Sequence, residues 1–180
     1  MIDGRIPLLG FAAYSGTGKT TLLRQLLPLL RNAGHRVGVI KFTHHDVELD
    51  RPGKDSYELR KAGASQMLIA SAWRWVWIED HPRPREPRLA DAVAHLDRDS
   101  LDLILVEGFK HEAFPKIELH RPATGHALLF PSDPDIIAVA SDDPSLPAPA
   151  SLVVLDLNDI PAIAAFVERR FLSGRETSVG

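Results

Sequence analysis

One stretch near the N-terminus constrains this chain more than any other. Ile6 to Ala13 is almost wholly apolar, Tyr14 to Lys19 is rich in Gly, Ser and Thr, and leucines then recur at Leu22, Leu23, Leu26, Leu27 and Leu30. An unbroken apolar run reads as a strand buried on both faces, the position of a central strand in a parallel sheet. The leucine spacing gives a wide apolar stripe on a helix over about Thr20 to Ala33, with Gly34 suited to the residue after its end. Pro28 falls inside this helix and predicts a kink or one lost hydrogen bond. The turn between strand and helix, Ala13-Tyr14-Ser15-Gly16-Thr17-Gly18-Lys19-Thr20, has the spacing of a phosphate-binding loop except at its first position, where Ala13 replaces Gly.

The chemistry of that turn follows from its residues. Gly16 and Gly18 let the backbone approach phosphate oxygens closely, so the N–H groups of Ser15, Gly16, Thr17 and Gly18 can form an anion nest. The first turn of the helix adds unpaired N–H groups and its positive dipole end. Lys19 supplies a point charge for β- and γ-phosphates, the Thr20 hydroxyl suits Mg²⁺, and Thr21 reaches an α-phosphate. A glycine turn that binds nothing is the bland alternative. The buried strand before the turn and the helix directly after it argue against that.

Downstream, strands and helices alternate. Strands are expected at Val37–Thr43, Gln66–Ala70, Trp73–Ile78, Asp102–Val106, Ile117–His120, Ile136–Ala140 and Leu152–Leu155. Short helices are expected at Asp55–Ala62 and around Leu89–Leu96, with a last one capped by Asn158 or Asp159 and cored by Ile160, Ile163, Ala164, Val167 and Phe171. This order predicts an α/β, three-layer α/β/α sandwich of the P-loop NTPase type, its sheet mostly parallel with antiparallel strands at one edge. At 180 residues the chain is expected to be one nucleotide-binding domain over 1–174 with a loose tail over 175–180.

With 21 basic and 24 acidic residues there is no basic excess to mark a nucleic-acid or membrane-surface binder, and no apolar run is long enough to span a bilayer. The absence of cysteine excludes disulfides and thiol chemistry. Together with an N-terminus that lacks a signal-peptide pattern, it fits a cytoplasmic protein.

Other candidates lie beyond the loop. Leu103 to Val106 places Glu107 at the carboxyl end of a buried strand, where open α/β sheets bind ligands, and Gly108 allows a sharp turn after it. Glu107 could complete a magnesium shell; a solvated strand-end residue is the alternative. Asp102 begins the same strand and belongs at the far edge. His44-His45-Asp46 follows the second strand. Asp46 could hold a metal-bound water, whereas adjacent histidines suit metal ligation poorly in a strand and read equally as phosphate contacts or plain loop. In Arg51-Pro52-Gly53-Lys54-Asp55-Ser56, Lys54 could face an anion, and Asp55 or Ser56 could cap a helix. Asp142, after the strand Ile136–Ala140, is a carboxylate at a strand end, or simply makes a turn. Trp73, Trp75 and Trp77 alternate and should share a strand face, as core or as a subunit interface.

Ala13–Thr21, Lys41–Asp46, Pro52–Tyr57, Arg60–Ala64 and Leu105–Lys110, in order over about residues 6 to 142, resemble the MobB family of molybdopterin-guanine dinucleotide biosynthesis. The resemblance implies a homodimeric adapter that binds GTP with Mg²⁺, hydrolyses it weakly, and assists the enzyme that attaches GMP to molybdopterin. It leaves direct binding of molybdopterin open. It places phosphate binding on Gly16 to Thr21, Asp46 and Glu107 near the metal, and Lys54 to Ser56 near the same cleft, so Lys19 and Asp46 are the candidate catalytic groups. The Asn-Lys-X-Asp tetrapeptide that many GTP-binding proteins use is absent; the nearest candidate is Asp142 in Ser141-Asp142-Asp143, whose carboxylate could accept from guanine N1 and N2 or simply make a turn. The competing reading is a P-loop small-molecule kinase, which needs a mobile arginine lid; the arginines of residues 81–88 are stiffened by prolines. A third is an assembly scaffold with a vestigial loop.

Overall fold

The computed structural model describes residues 6–173, so the expected tail, residues 175–180, lies outside them. In chain order the elements are β1 (Leu8–Ala12), α1 (Lys19–Asn32), β2 (Val37–Lys41), α2 (Asp55–Lys61), β3 (Gln66–Ala70), β4 (Trp75–Glu79), α3 (Leu89–Ala94), β5 (Leu103–Glu107), β6 (Lys116–His120), β7 (Ile136–Ser141), β8 (Val153–Asp156) and α4 (Ile160–Val167). The helix α4 continues as a π-helical turn, Glu168–Leu172. These elements form two compact units, residues 6–42 with 88–173, and residues 43–87.

The larger unit is built on a six-stranded sheet in the order β2-β5-β1-β6-β7-β8 with every pair parallel. Because strand side chains alternate, each apolar run supplies two cores. On one face Leu9, Phe11, Leu105, Ile117 and Leu119 meet Leu22, Leu26 and Leu30 of α1 and Ile163 and Val167 of α4. On the other, Leu8, Ile40, Ile104 and Val106 meet Leu89 and Val93 of α3, while Val139 packs beneath Leu128, Leu129 and Phe130. This is the expected three-layer α/β arrangement. Asp159 caps α4 by accepting from the Ala162 N–H. Helix α1 runs through Pro28, which sits on its exposed side.

The other faces of β6 carry a departure from apolar patterning. Lys116 and Glu118 are 2% and 1% exposed. Lys116 Nζ bonds Asp133 at 3.1 Å and pairs with Asp135 at 3.6 Å, while the Glu118 carboxylate accepts the N–H groups of Leu129 and Phe130 at 2.7 and 2.8 Å. Burying these charges is tolerated because each has partners.

The smaller unit corrects the sequence reading in two ways. The antiparallel strands do not edge the parallel sheet; β3 and β4 form a two-stranded sheet of their own, with α2 packed on β3. Trp73 is not on the strand with Trp75 and Trp77. The Ser71 hydroxyl accepts from the N–H groups of Trp73 and Arg74 and donates to the Arg74 carbonyl, so the turn consumes Trp73 before β4 begins. Trp73, Trp75 and Trp77 are 92%, 73% and 43% exposed, which removes the core reading within this chain.

Candidate functional site

The loop between β1 and α1 is held open by its own backbone. Gly18 occupies the N-cap of α1 at φ 104°, a left-handed conformation that strains any residue with a β-carbon. No side chain caps this helix and no acidic residue lies in its first turn, so its leading N–H groups are available to an anion. Thr17 is buried, and its hydroxyl and its N–H both donate to the Tyr14 carbonyl, at 2.9 and 3.5 Å. Ser15, Gly16, Thr20 and Thr21 are exposed at the loop. The Lys19 ammonium donates to the carbonyls of Ala13 at 2.8 Å and Tyr14 at 3.3 Å, folding the cation back over the loop. Burial lowers the Lys19 pKa from the ordinary lysine value, and the Glu107 charge opposes that shift.

Glu107 stands where the sequence put it. It ends β5, paired in register with Phe11 of β1 on one side and Lys41 of β2 on the other. Its carboxylate is 3.5 Å from the Lys41 ammonium. Lys41 and Lys110 act electrostatically on Lys19, so three lysines and one carboxylate share the carboxyl ends of β1, β2 and β5. Gly108 follows at φ 99°, and a β-carbon there would fall 2.7 Å from Cβ of Phe42. Phe109 is itself left-handed at φ 52°, an uncommon geometry for an aromatic residue, and its ring packs 5.1 Å from that of Phe42.

A third strand end adds what the sequence reading missed. Arg121 follows β6. Its Nε donates to the Thr17 carbonyl of the phosphate loop at 3.2 Å and its Nη1 donates to Asp142 Oδ2 at 2.5 Å. The expected base reader Asp142 is thus tied through one arginine to the phosphate loop. His126, from the same connection, stacks on Tyr14 with ring centroids 4.2 Å apart. Arg121 also borders a cavity of about 190 Å³ with Gly18, Thr21, Gln25, Leu157 and Asn158. Of the expected site, the larger unit brings together Ser15 to Thr21, Glu107 and Asp142.

Asp46, Lys54 and Asp55 belong to the smaller unit. Lys54, extended at φ −94° and ψ 145°, takes the N-cap position of α2, so neither Asp55 nor Ser56 is the cap. Ser56 instead donates its hydroxyl to Asp50, and the Gly53 N–H donates to Glu58. Asp55 opens α2 as one of two acidic residues in its first turn, and Asp46 is exposed. Arg60, 9% exposed, is gripped by Glu48 and Asp80. That grip holds its guanidinium pKa above the usual arginine range.

A glycine loop joining a buried parallel strand to an uncapped helix, with a carboxylate at the end of the adjacent strand, defines the P-loop class of nucleotide-binding folds. Within that class the chain belongs to the MobB family: the family profile "Molybdopterin guanine dinucleotide synthesis protein B" matches residues 8–142. It is 52% identical over 165 residues to the molybdopterin-guanine dinucleotide biosynthesis adapter protein of Escherichia coli, covering 90% of this chain and 91% of that one. The protein of the same description from Haemophilus influenzae is 43% identical over 168 residues, covering 93% and 90%. Among solved structures, a MobB homologue from Bacillus stearothermophilus superposes with TM-score 0.62 at 27% identity, over 91% of this chain and 99% of that one. Bacillus subtilis MobB superposes with TM-score 0.73 at 22% identity, over 93% and 99%, a likeness that bears on the fold.

Proposed function

We propose that this protein is a GTP-binding adapter of molybdopterin-guanine dinucleotide biosynthesis, a homodimer with weak Mg²⁺-dependent GTPase activity that serves a guanylyltransferase acting on molybdopterin. The observation that carries the nucleotide reading is the uncapped N-terminus of α1 behind a left-handed glycine, with Lys19 folded over the loop and Glu107 one strand away. The adapter role is supported by the curated relatives, both described as adapter proteins of that biosynthesis.

The donor set fits Mg²⁺. Among the described residues no group of three or more His, Asp or Glu is gathered to hold a metal, so a dedicated protein cage is not the design. A hard cation that keeps waters and takes phosphate oxygens, with the Thr20 hydroxyl and the Glu107 carboxylate as its protein oxygens, suits what is there. When bound it would neutralise phosphate charge. Lys19 then leaves the carbonyls of Ala13 and Tyr14 for the β- and γ-phosphates, and the loop N–H groups of Ser15 to Gly18 orient the chain of phosphates. Asp142 accepts from guanine. Asp46, Lys54 and Asp55 enter the proposal through the family resemblance. Of the arginines in residues 81–88 that a kinase lid would need, Arg88 is bound to Asp91 at 2.7 Å. The test is affinity for GTP against ATP in the unmutated protein and in Asp142→Asn. Loss of GTP preference in the variant supports Asp142 as the reader, and an unchanged preference removes it.

A further inference from the structure

Arg121 is a cation that the proposed chemistry does not use, yet it touches both halves of the proposed site. One guanidinium spans two loops: Nε bonds the carbonyl of Thr17 at 3.2 Å and Nη1 bonds Asp142 Oδ2 at 2.5 Å. Both ends are anchored. Thr17 is 2% exposed and its hydroxyl is committed to Tyr14. Tyr14 is in turn stacked on His126, five residues beyond Arg121 on the same connection. Asp142 follows β7, whose last residue Ser141 is buried and pairs with His120, the neighbour of Arg121. The side chains of Arg121 and Asp142 are 34% and 29% exposed, so the pair is partly shielded from solvent.

We propose that Arg121 is a positioning residue for base discrimination: it fixes the plane of the Asp142 carboxylate against the phosphate loop. The inference rests on Asp142 as the guanine reader. Guanine presents two adjacent donors, N1–H and the 2-amino group. A carboxylate accepts both only if its plane is held, since a freely turning one offers a single acceptor on average. Each carboxylate oxygen has two lone pairs, so Oδ2 can keep the Nη1 bond while accepting from the base. The planar arginine fork reaches two separated acceptors in fixed geometry, which a lysine ammonium, a point donor, does not reproduce. Arg121 also borders the cavity lined by Gly18, Thr21, Gln25 and Asn158, so its guanidinium is shared between the loop and that space.

The experiment measures affinities for GTP, ITP (which lacks the 2-amino group) and ATP by calorimetry, with Mg²⁺, for the unmutated protein, Arg121→Lys, Arg121→Ala and Asp142→Asn. Melting curves accompany each. The inference expects GTP affinity to fall roughly tenfold or more in both Arg121 variants, the scale of a lost charged hydrogen bond. ITP and ATP should change far less, so that the GTP:ITP ratio collapses. Arg121→Lys keeps charge and length, so it serves if the alanine variant does not fold. Equal losses for all three nucleotides, or none, would overturn the inference while an Asp142→Asn effect preserves the reading beneath it. An unchanged GTP:ATP ratio in Asp142→Asn would remove both.

Discussion

At the scale of single residues, Lys19 is the group on which triphosphate binding should hang. Its ammonium already sits over the loop, on the carbonyls of Ala13 and Tyr14, and needs only to turn toward phosphate. Lys19→Ala should cost about 1.5–3 kcal/mol of GTP affinity with the melting temperature held, measured by titration calorimetry. Burial lowers its pKa and bound phosphate would raise it again, so affinity should hold below the lowered value and fall as pH rises through it. That decline should begin below the titration range of an exposed lysine, and Lys19→Ala should abolish it. Glu107→Gln keeps shape but removes the charge a hard cation takes, so GTP affinity should stop responding to added Mg²⁺; an undiminished response would return Glu107 to its partner Lys41 alone. The positions of Lys19 and Glu107 were legible in the sequence because one closes the glycine loop that follows an apolar strand and the other ends an apolar strand. Arg121 was not. It is 104 positions from Thr17, and only the adjacency of β1 and β6 brings them together.

At the scale of elements, β6 shows what alternation alone conceals. Ile117 and Leu119 announce one buried face, but Lys116 and Glu118 look like a solvated one until the connection 125–135 folds over them. Glu118 anchors that connection through two backbone N–H groups, and burial pushes its carboxyl up from the ordinary glutamate value. A raised carboxyl means that the folded chain holds its proton longer than the unfolded one. Its contribution is greatest below the ordinary glutamate pKa and diminishes as pH rises to the raised value. Glu118→Gln should flatten that slope in melting temperature against pH. It should also cost about 1–3 kcal/mol, because an amide N–H₂ must then face one of the two N–H donors. Faster amide exchange at Leu129 and Phe130 would locate the loss. The α1 stripe was read correctly, since burial of Leu22, Leu26 and Leu30 is periodic, whereas in α4 the reading missed Phe166, which is buried with Ile163, Ala164 and Val167. The α2 cap and the place of Trp73 were misread. Both were decided by local side-chain bonds, Glu58 to Gly53 and Ser71 to its turn, that compete with the pattern rules.

At the scale of the whole molecule, the parallel order of the sheet follows from strand–helix alternation, while the existence of a separate hairpin unit does not, because short strands carry no label for the sheet they join. That hairpin turns Leu68, Trp75 and Trp77 outward on one face, at 53%, 73% and 43% exposure. Such area calls for a cover, and in the proposed homodimer a second copy would supply it by two-fold pairing. Trp75→Ala with Trp77→Ala should shift sedimentation at micromolar concentration from dimer toward monomer. We expect a loss of about 2 kcal/mol or more for the pair, whereas Trp73→Ala, in the turn, should leave the dimer unchanged. A monomeric unmutated protein would contradict the homodimer. Under the proposed function, this MobB-family chain binds a guanine triphosphate through its phosphates and its base together. Calorimetric titration of the purified protein with GTP, GDP and ATP, each with and without Mg²⁺, tests it most directly. GTP should bind more tightly than GDP and than ATP, and more tightly still with Mg²⁺. Equal affinity for GTP and ATP, or no binding of either, would contradict it.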